Sequence, residues 1–118
     1  MVSSDAFWQH VDTSSGDGGC WPWLGKISHY GYGVAYIGRA GRKDVMAPAH
    51  RVACFLFSIG SIDAIKVDTR DTDHLCRNKK CCNPGHLELV THAENVRRGM
   101  LGTRQKTYRL AHRERRSA

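Results

Sequence analysis

Between residues 76 and 86 the chain reads Cys76-Arg-Asn-Lys-Lys-Cys81-Cys82-Asn-Pro-Gly-His86. Three thiols and an imidazole, separated by the turn residues Asn83, Pro84 and Gly85, make a tight knuckle. Zinc takes tetrahedral Cys/His sites of this kind, and such a site can hold a small fold together. The alternative is a set of reduced thiols with no metal. The chain has five cysteines, an odd number, and residues 1–10 show no basic segment followed by an apolar one. That combination argues against a disulfide framework and for a cytosolic, metal-binding use of the thiols.

A closed zinc site needs a fourth ligand. Cys81 and Cys82 are adjacent, so their side chains point apart and only one of them joins the ion. Cys54 lies in the apolar run Val52-Ala53-Cys54-Phe55-Leu56-Phe57 and reads as a small buried hydrophobe. Cys20 follows Gly16-Asp17-Gly18-Gly19 in a loop free to fold over the knuckle, and is the best fourth ligand. The expected quartet is therefore Cys20, Cys76, Cys81 and His86.

With 118 residues the chain has room for one domain. It contains no apolar run of about 18 residues, which excludes a transmembrane helix, and the expectation is a soluble cytoplasmic protein without membrane partners. Local pattern predicts a short helix through residues 6–11 and a strand starting at Trp21 and Trp23. A second strand is expected over residues 30–37, a basic hairpin tip over 38–43 and a partner strand over 44–47. Residues 50–59 read as a buried helix ended by Gly60. Alternation at residues 65–69 predicts a strand leading to Asp73-His74, and residues 87–90 a short return strand. Thr91 with Glu94 forms a capping-box pattern opening a helix that stops at Gly99. A basic helix is expected over residues 107–116. Tyr30, Tyr32 and Tyr36 suit either the strand's core or stacking on bases.

Charge divides the chain. Residues 1–96 carry ten basic and ten acidic residues; residues 97–118 carry eight basic residues and one acid, so they hold the whole net charge of +7. A neutral body with a basic arm points to a polyanion, most plausibly nucleic acid. Arg97, Arg98, Arg104, Lys106, Arg109 and Arg113 are the expected contacts in this arm. Arg39, Arg42 and Lys43 on the hairpin tip, and Arg51, are further candidates for phosphate or base contact.

Asp73-His74 precedes the knuckle, and Asn95 follows it 21 residues after His74. An imidazole with a pKa near 6.5 accepts a proton from water at neutral pH. Carboxylate and amide oxygens are hard ligands suited to Mg²⁺. The three together suit metal-assisted phosphodiester hydrolysis. His86 has two conceivable uses, as a zinc ligand or as a ligand to this second ion, and the knuckle spacing favours zinc.

The run Asp73-His74-Leu-Cys76-x4-Cys81-Cys82-Asn83-Pro84-x-His86-Leu87, followed by Thr91-x2-Glu94-Asn95, resembles the HNH endonucleases of the His-Me finger (ββα-metal) superfamily. It is most similar to small phage and prophage HNH proteins and to the His-Cys box homing endonucleases. The resemblance covers residues 19–99 and includes Gly19-Cys20-Trp21-x-Trp23 and His50-Arg51. It implies an α+β fold: a small zinc-stabilised ββα-metal domain with an N-terminal β-hairpin and a basic C-terminal helical tail. The domain would span residues 1–102, with the core motif at 65–99 and the tail at 103–118. The resemblance further implies His74 as general base, Asp73 and Asn95 as ligands to a catalytic divalent ion, and Asn83 as a brace of the loop. Cys20, Cys76, Cys81 and His86 match the family's structural zinc quartet.

The expected activity is cleavage or nicking of double-stranded DNA, leaving a 5′-phosphate and a 3′-hydroxyl. A homing role would favour a homodimer on a pseudo-palindrome; a packaging role would place the protein with phage packaging proteins. The competing reading is a non-catalytic zinc module that binds DNA. Two departures stand out. The residues before Asp73-His74, Asp68-Thr69-Arg70-Asp71-Thr72, are polar where relatives often have an apolar strand, and only Arg51 and Arg42 offer themselves as the ligand to the scissile phosphate.

Overall fold

A computed structural model describes residues 4–100. The expected basic helix at 107–116, and with it Arg104, Lys106, Arg109 and Arg113, lies outside the described residues. The architecture is a small α+β arrangement of two separate antiparallel hairpins and three helices. Helix α1 (Ser4–Trp8) opens the chain, β1 (Val34–Ala40) and β2 (Lys43–Pro48) form the first hairpin, and α2 (Ala49–Ser58) follows at once. Strands β3 (Asp71–His74) and β4 (Leu87–Val90) form the second hairpin, with a 3-10 turn (Pro84–His86) before β4, and α3 (His92–Met100) comes last.

Helix α2 organises the core. Ala49, His50, Val52, Ala53, Cys54 and Phe55 are all buried, so the helix is enclosed over most of its circumference. It packs against all four strands and the 3-10 turn. Its C-terminus is closed by Ile59 and Gly60, whose N–H groups both donate to the Phe55 carbonyl. Gly60 has φ +82°, the left-handed conformation that a helix-terminating glycine adopts without steric cost. Around α2 collect Phe7, Trp23, Ala35, Ile37, Ile62, Ile65, Cys82 and Leu87. Cys54 is thus the small core residue expected from its apolar run. Gly33 passes against this cluster, where a Cβ would stand 2.7 Å from the Trp23 indole, so the chain approaches the ring as only glycine permits.

Three local expectations need correction. Residues 65–69 are not a strand. Their segment is a series of turns in which Ile65 N–H donates to Ile62 and Asp68 N–H to Ala64. Ile62 and Ile65, three apart, are buried, whereas Val67 is 78% exposed, so the burial period is that of turns and not 2. The strand is the polar stretch 71–74, paired Asp71 to Val90 and His74 to Leu87. The first hairpin is also shifted: residues 28–31 turn, with Gly31 N–H on the Ser28 carbonyl, and β1 runs on to Ala40, leaving Gly41 and Arg42 as the tip. Its core face is Ala35 and Ile37, while Tyr30 and Tyr36 are exposed. Finally, Trp21 and Trp23 start no strand. They make a short bridge in which Trp23 N–H donates to the Lys80 carbonyl at 2.8 Å and Cys82 N–H to the Trp21 carbonyl at 2.7 Å.

Candidate active site and metal centre

That bridge builds the metal centre. By pairing residues 21–23 with 80–82, it delivers the preceding Cys20 to the knuckle 56 positions later in the chain. The ligand atoms of Cys20, Cys76, Cys81 and His86 lie within 4.8 Å of one another, the one such His/Cys/Asp/Glu group among the described residues. His86 Nδ1 stands 3.5 Å from Cys81 Sγ and 3.7 Å from Cys20 Sγ, while Nε2 lies 3.1 Å from the Gly18 carbonyl. A carbonyl only accepts, so Nε2 carries the proton and Nδ1 presents its lone pair to the thiols, the outer hydrogen bond that a metal-ligating histidine needs. The Cys76 thiol beside Cys81, helped by the Asn83 N–H at 3.4 Å, pulls the Cys81 thiol down toward its thiolate form, the form that binds metal.

The adjacent Cys82 faces the other way, into the core, where burial pushes its thiol up to about 12. Asn83 bonds across the loop. Its Nδ2 donates to the Asp17 and Gly19 carbonyls at 2.9 and 2.7 Å, and its Oδ1 accepts from Gly85 N–H at 2.9 Å. The donor set, three thiols and one imidazole nitrogen, fits a structural zinc ion.

Next to this centre lies a cavity of about 720 Å³. His74, Asp73 and Asn95 line it together, with Tyr32, His50, Arg51, Asp71 and Arg77. His74 ends β3 and is buried; its Nε2–H donates to the Cys81 carbonyl at 2.9 Å. Nδ1 is therefore the basic nitrogen of the ring. Burial lowers the pKa of His74 below the ordinary histidine value, so the ring is neutral at pH 7. The ligand cluster and His74 are one unit: the same knuckle residue, Cys81, offers its sulfur to the cluster and its carbonyl to the imidazole.

The carboxylates divide by neighbour. Asp73 accepts from Arg77 Nη1 at 2.9 Å and from Arg98 Nη1 at 2.7 Å. Asp71, two residues earlier on the same face of β3, has His92 Nδ1 at 2.8 Å and Asn95 Nδ2 at 2.9 Å on one oxygen. Asn95 thus touches Asp71, a residue whose place in the site the sequence did not single out. Period-2 counting back from Asp73 is the signal that finds it. Arg77, the residue after Cys76, also enters the cavity unannounced; its position in the knuckle gave no hint that it turns back onto Asp73.

The basic residues are dispersed. Arg51 donates to the carbonyls of Ile65, Asp68 and Arg70 and to Thr72 Oγ1, so it ties the turn segment to α2 and does not present a free guanidinium for phosphate. Arg98 is held by Asp73, Glu88 and Glu94, and Arg97 by Glu94. Arg39 pairs with Asp44 across the exposed hairpin end. Arg42 and Lys43 are exposed there too, about 16 Å along β2 from Pro48, which lines the cavity.

Residues 47–97 match the HNH endonuclease family profile. Over this segment the chain is similar to HNH endonucleases. The HNH match spans α2, the knuckle, both strands of the second hairpin and α3 as far as Arg97, and so contains His74 and Asn95. Cys20 comes from outside it. The chain is also 35% identical over 77 residues to Protein 2.8 of Escherichia phage T7, across 65% of this chain and 46% of that protein. It therefore spans less than half the length of this phage relative. No solved structure gives a significant match. No helix among the described residues is long and apolar enough to cross a membrane.

Proposed function

We propose that this HNH protein is a divalent-metal-dependent endonuclease or nickase that hydrolyses phosphodiester bonds in double-stranded DNA. The observation that carries the reading is His74: a neutral imidazole with Nε2–H anchored on the Cys81 carbonyl, lining one cavity with Asp73 and Asn95. In this reading His74 Nδ1 takes a proton from water as its oxygen attacks phosphorus. The bond from phosphorus to the 3′ oxygen breaks, that oxygen gains a proton from solvent, and the ends are a 5′-phosphate and a 3′-hydroxyl.

Asp73 and Asn95 would hold the catalytic ion, Mg²⁺ or another hard divalent cation, as oxygen donors on β3 and α3. When bound, such an ion supplies charge stabilisation to the phosphate and the leaving oxygen. Asp73 would have to give up part of its contact with Arg77 or Arg98 to hold the ion, and Asp71, already bonded to Asn95, would be the alternative carboxylate. Zinc on Cys20, Cys76, Cys81 and His86 would keep the knuckle, and with it the Cys81 carbonyl, in place. We assign residues 1–102 to the nuclease domain and residues 103–118 to a DNA-binding tail. The setting we propose is the cytoplasm of a phage-infected cell, with a role in homing of a mobile element or alongside packaging proteins.

Plasmid nicking with purified wild type and His74→Ala tests the reading. The wild type should nick in Mg²⁺ or Mn²⁺, and the variant should be at least about 100-fold slower. Equal trace cutting by both proteins would mark contamination and end the assignment. DNA binding that survives His74→Ala, with no cleavage in any divalent ion, would instead support the non-catalytic module.

A further inference from the structure

His50, in the first turn of α2, has no part in the scheme above. It is buried with 8% of its surface exposed, and it lines the cavity that holds His74. Its Nε2–H donates to the Thr72 carbonyl at 3.2 Å, which leaves Nδ1 as an acceptor. That Nδ1 is buried with no hydrogen-bond partner among the described residues. A core histidine kept for packing alone would have both nitrogens satisfied.

The geometry supplies a reason for its presence. The His50 ring lies 4.2 Å, centroid to centroid, from the His74 ring at an interplanar angle of 36°. Tyr32 completes the group, 5.5 Å from His50 and 6.0 Å from His74. His74 is thus fixed at Nε2 by a carbonyl and along its face by a second imidazole. Burial, with the charge His74 would carry as the second cause, holds His50 down to about 3, so this neighbour stays uncharged over the pH range in which DNA is handled.

We propose that His50 is a positioning residue for His74: its ring is the wall against which the base packs, and its Nε2–H anchors the β3 backbone at Thr72, two residues before the base. The proposal rests on the reading of His74 as general base. Rotation of an imidazole about χ2 exchanges its nitrogens' neighbours, so an unsupported ring would present Nδ1 to water only part of the time. The effect belongs in the chemical step and not in DNA affinity, because His50 is buried and offers no surface to a phosphate.

The test uses the full chain with zinc bound and three variants, His50→Ala, His50→Phe and His74→Ala. Steady-state cleavage of a duplex substrate separates kcat from KM, and long-range ¹H–¹⁵N spectra at pH 8 read the tautomer of the His74 ring. For His50→Ala, kcat should fall roughly tenfold or more with KM within about twofold, and the His74 signal should change from a single Nε2–H form to a mixture. His50→Phe keeps a planar wall and should recover more than half of the lost kcat and the single His74 form.

The proposal is overturned by a His50→Ala enzyme with unchanged kcat, by a loss confined to KM, or by an unchanged His74 tautomer. If His50→Ala does not fold, His50→Phe decides: a kcat as low as that of His74→Ala refutes the wall. If wild type cuts nothing, the nuclease reading fails on its own, while the His74 tautomer still reports whether His50 orients the ring.

Discussion

Neighbouring residues of one type meet opposite environments here, and that contrast can be tested pair by pair. Cys81 faces the ligand cluster and Cys82 the hydrophobic core. Cys81→Ala should abolish stoichiometric zinc in elemental analysis and lower the melting temperature severely, because metal binding and folding are coupled. Cys82→Ala should keep the ion and cost roughly 1–2 kcal/mol in urea unfolding, an ordinary core truncation. Asp71 and Asp73 form the second pair. Asp73 is buried between two guanidiniums that are themselves mostly covered. Asp73→Asn should therefore destabilise by on the order of 3 kcal/mol, through charges left without a partner. Asp71 is more exposed, so Asp71→Asn should change stability little. Cleavage across a Mg²⁺ titration then assigns the carboxylate: loss in Asp73→Asn with retention in Asp71→Asn fits the proposed ligand set, and the opposite pattern moves the ligand to Asp71. The four zinc-type ligands were legible because Cys/His spacing and the parity of adjacent residues are sequence properties. The ion pairs of Asp73 were not, since Arg98 reaches it from another element 25 residues away.

At the level of elements, what the sequence revealed depended on whether local pattern and tertiary environment agree. Strand β4 and helix α3 were read almost to the residue, because an apolar alternation ends in Thr91, whose Oγ1 accepts from Glu94 N–H at 3.1 Å. Strand β3 was displaced in the reading because its sequence, Asp-Thr-Asp-His, has no hydrophobic signal. Its Thr72 and His74 are buried by α2 and the knuckle, and its Asp71 and Asp73 are neutralised from α3 and Arg77. Polar residues fill this buried strand where it also lines the cavity. Arg51 has a structural use that its sequence does not announce, for a related reason. A lone arginine on a helix suggests a surface cation, yet this one closes the turns between α2 and β3 by donating to three backbone carbonyls. Arg51→Ala should cost about 3 kcal/mol in denaturant unfolding, from several charged hydrogen bonds and the contact with the Phe55 ring. DNA affinity measured where the variant is still folded should not change; a large loss of affinity with intact stability would return Arg51 to the phosphate.

For the molecule as a whole, the division of charge gains a physical basis. Residues 1–96 are neutral overall, and Arg97 and Arg98, the first basic residues after them, are bound to acids of the body. These ion pairs stiffen α3 and tie it to β3 and β4. If DNA is held by the tail, the work falls to the six basic residues Arg104, Lys106, Arg109, Arg113, Arg115 and Arg116. Each phosphate contact releases counterions and steepens the fall of log K with log salt by about 0.9. Deleting residues 103–118 should therefore flatten that slope by as much as about 5 if all six engage phosphates, and by less in proportion to the number that do. Because, among the described residues, the ligand cluster and the cavity draw on residues 20–95, the truncated chain should keep one zinc and its cleavage rate at saturating DNA. Binding isotherms from about 50 to 200 mM salt, with zinc analysis on the same samples, measure both effects. An unchanged slope would place the phosphate contacts on the body, with the exposed Arg42 and Lys43 of the first hairpin next to be substituted.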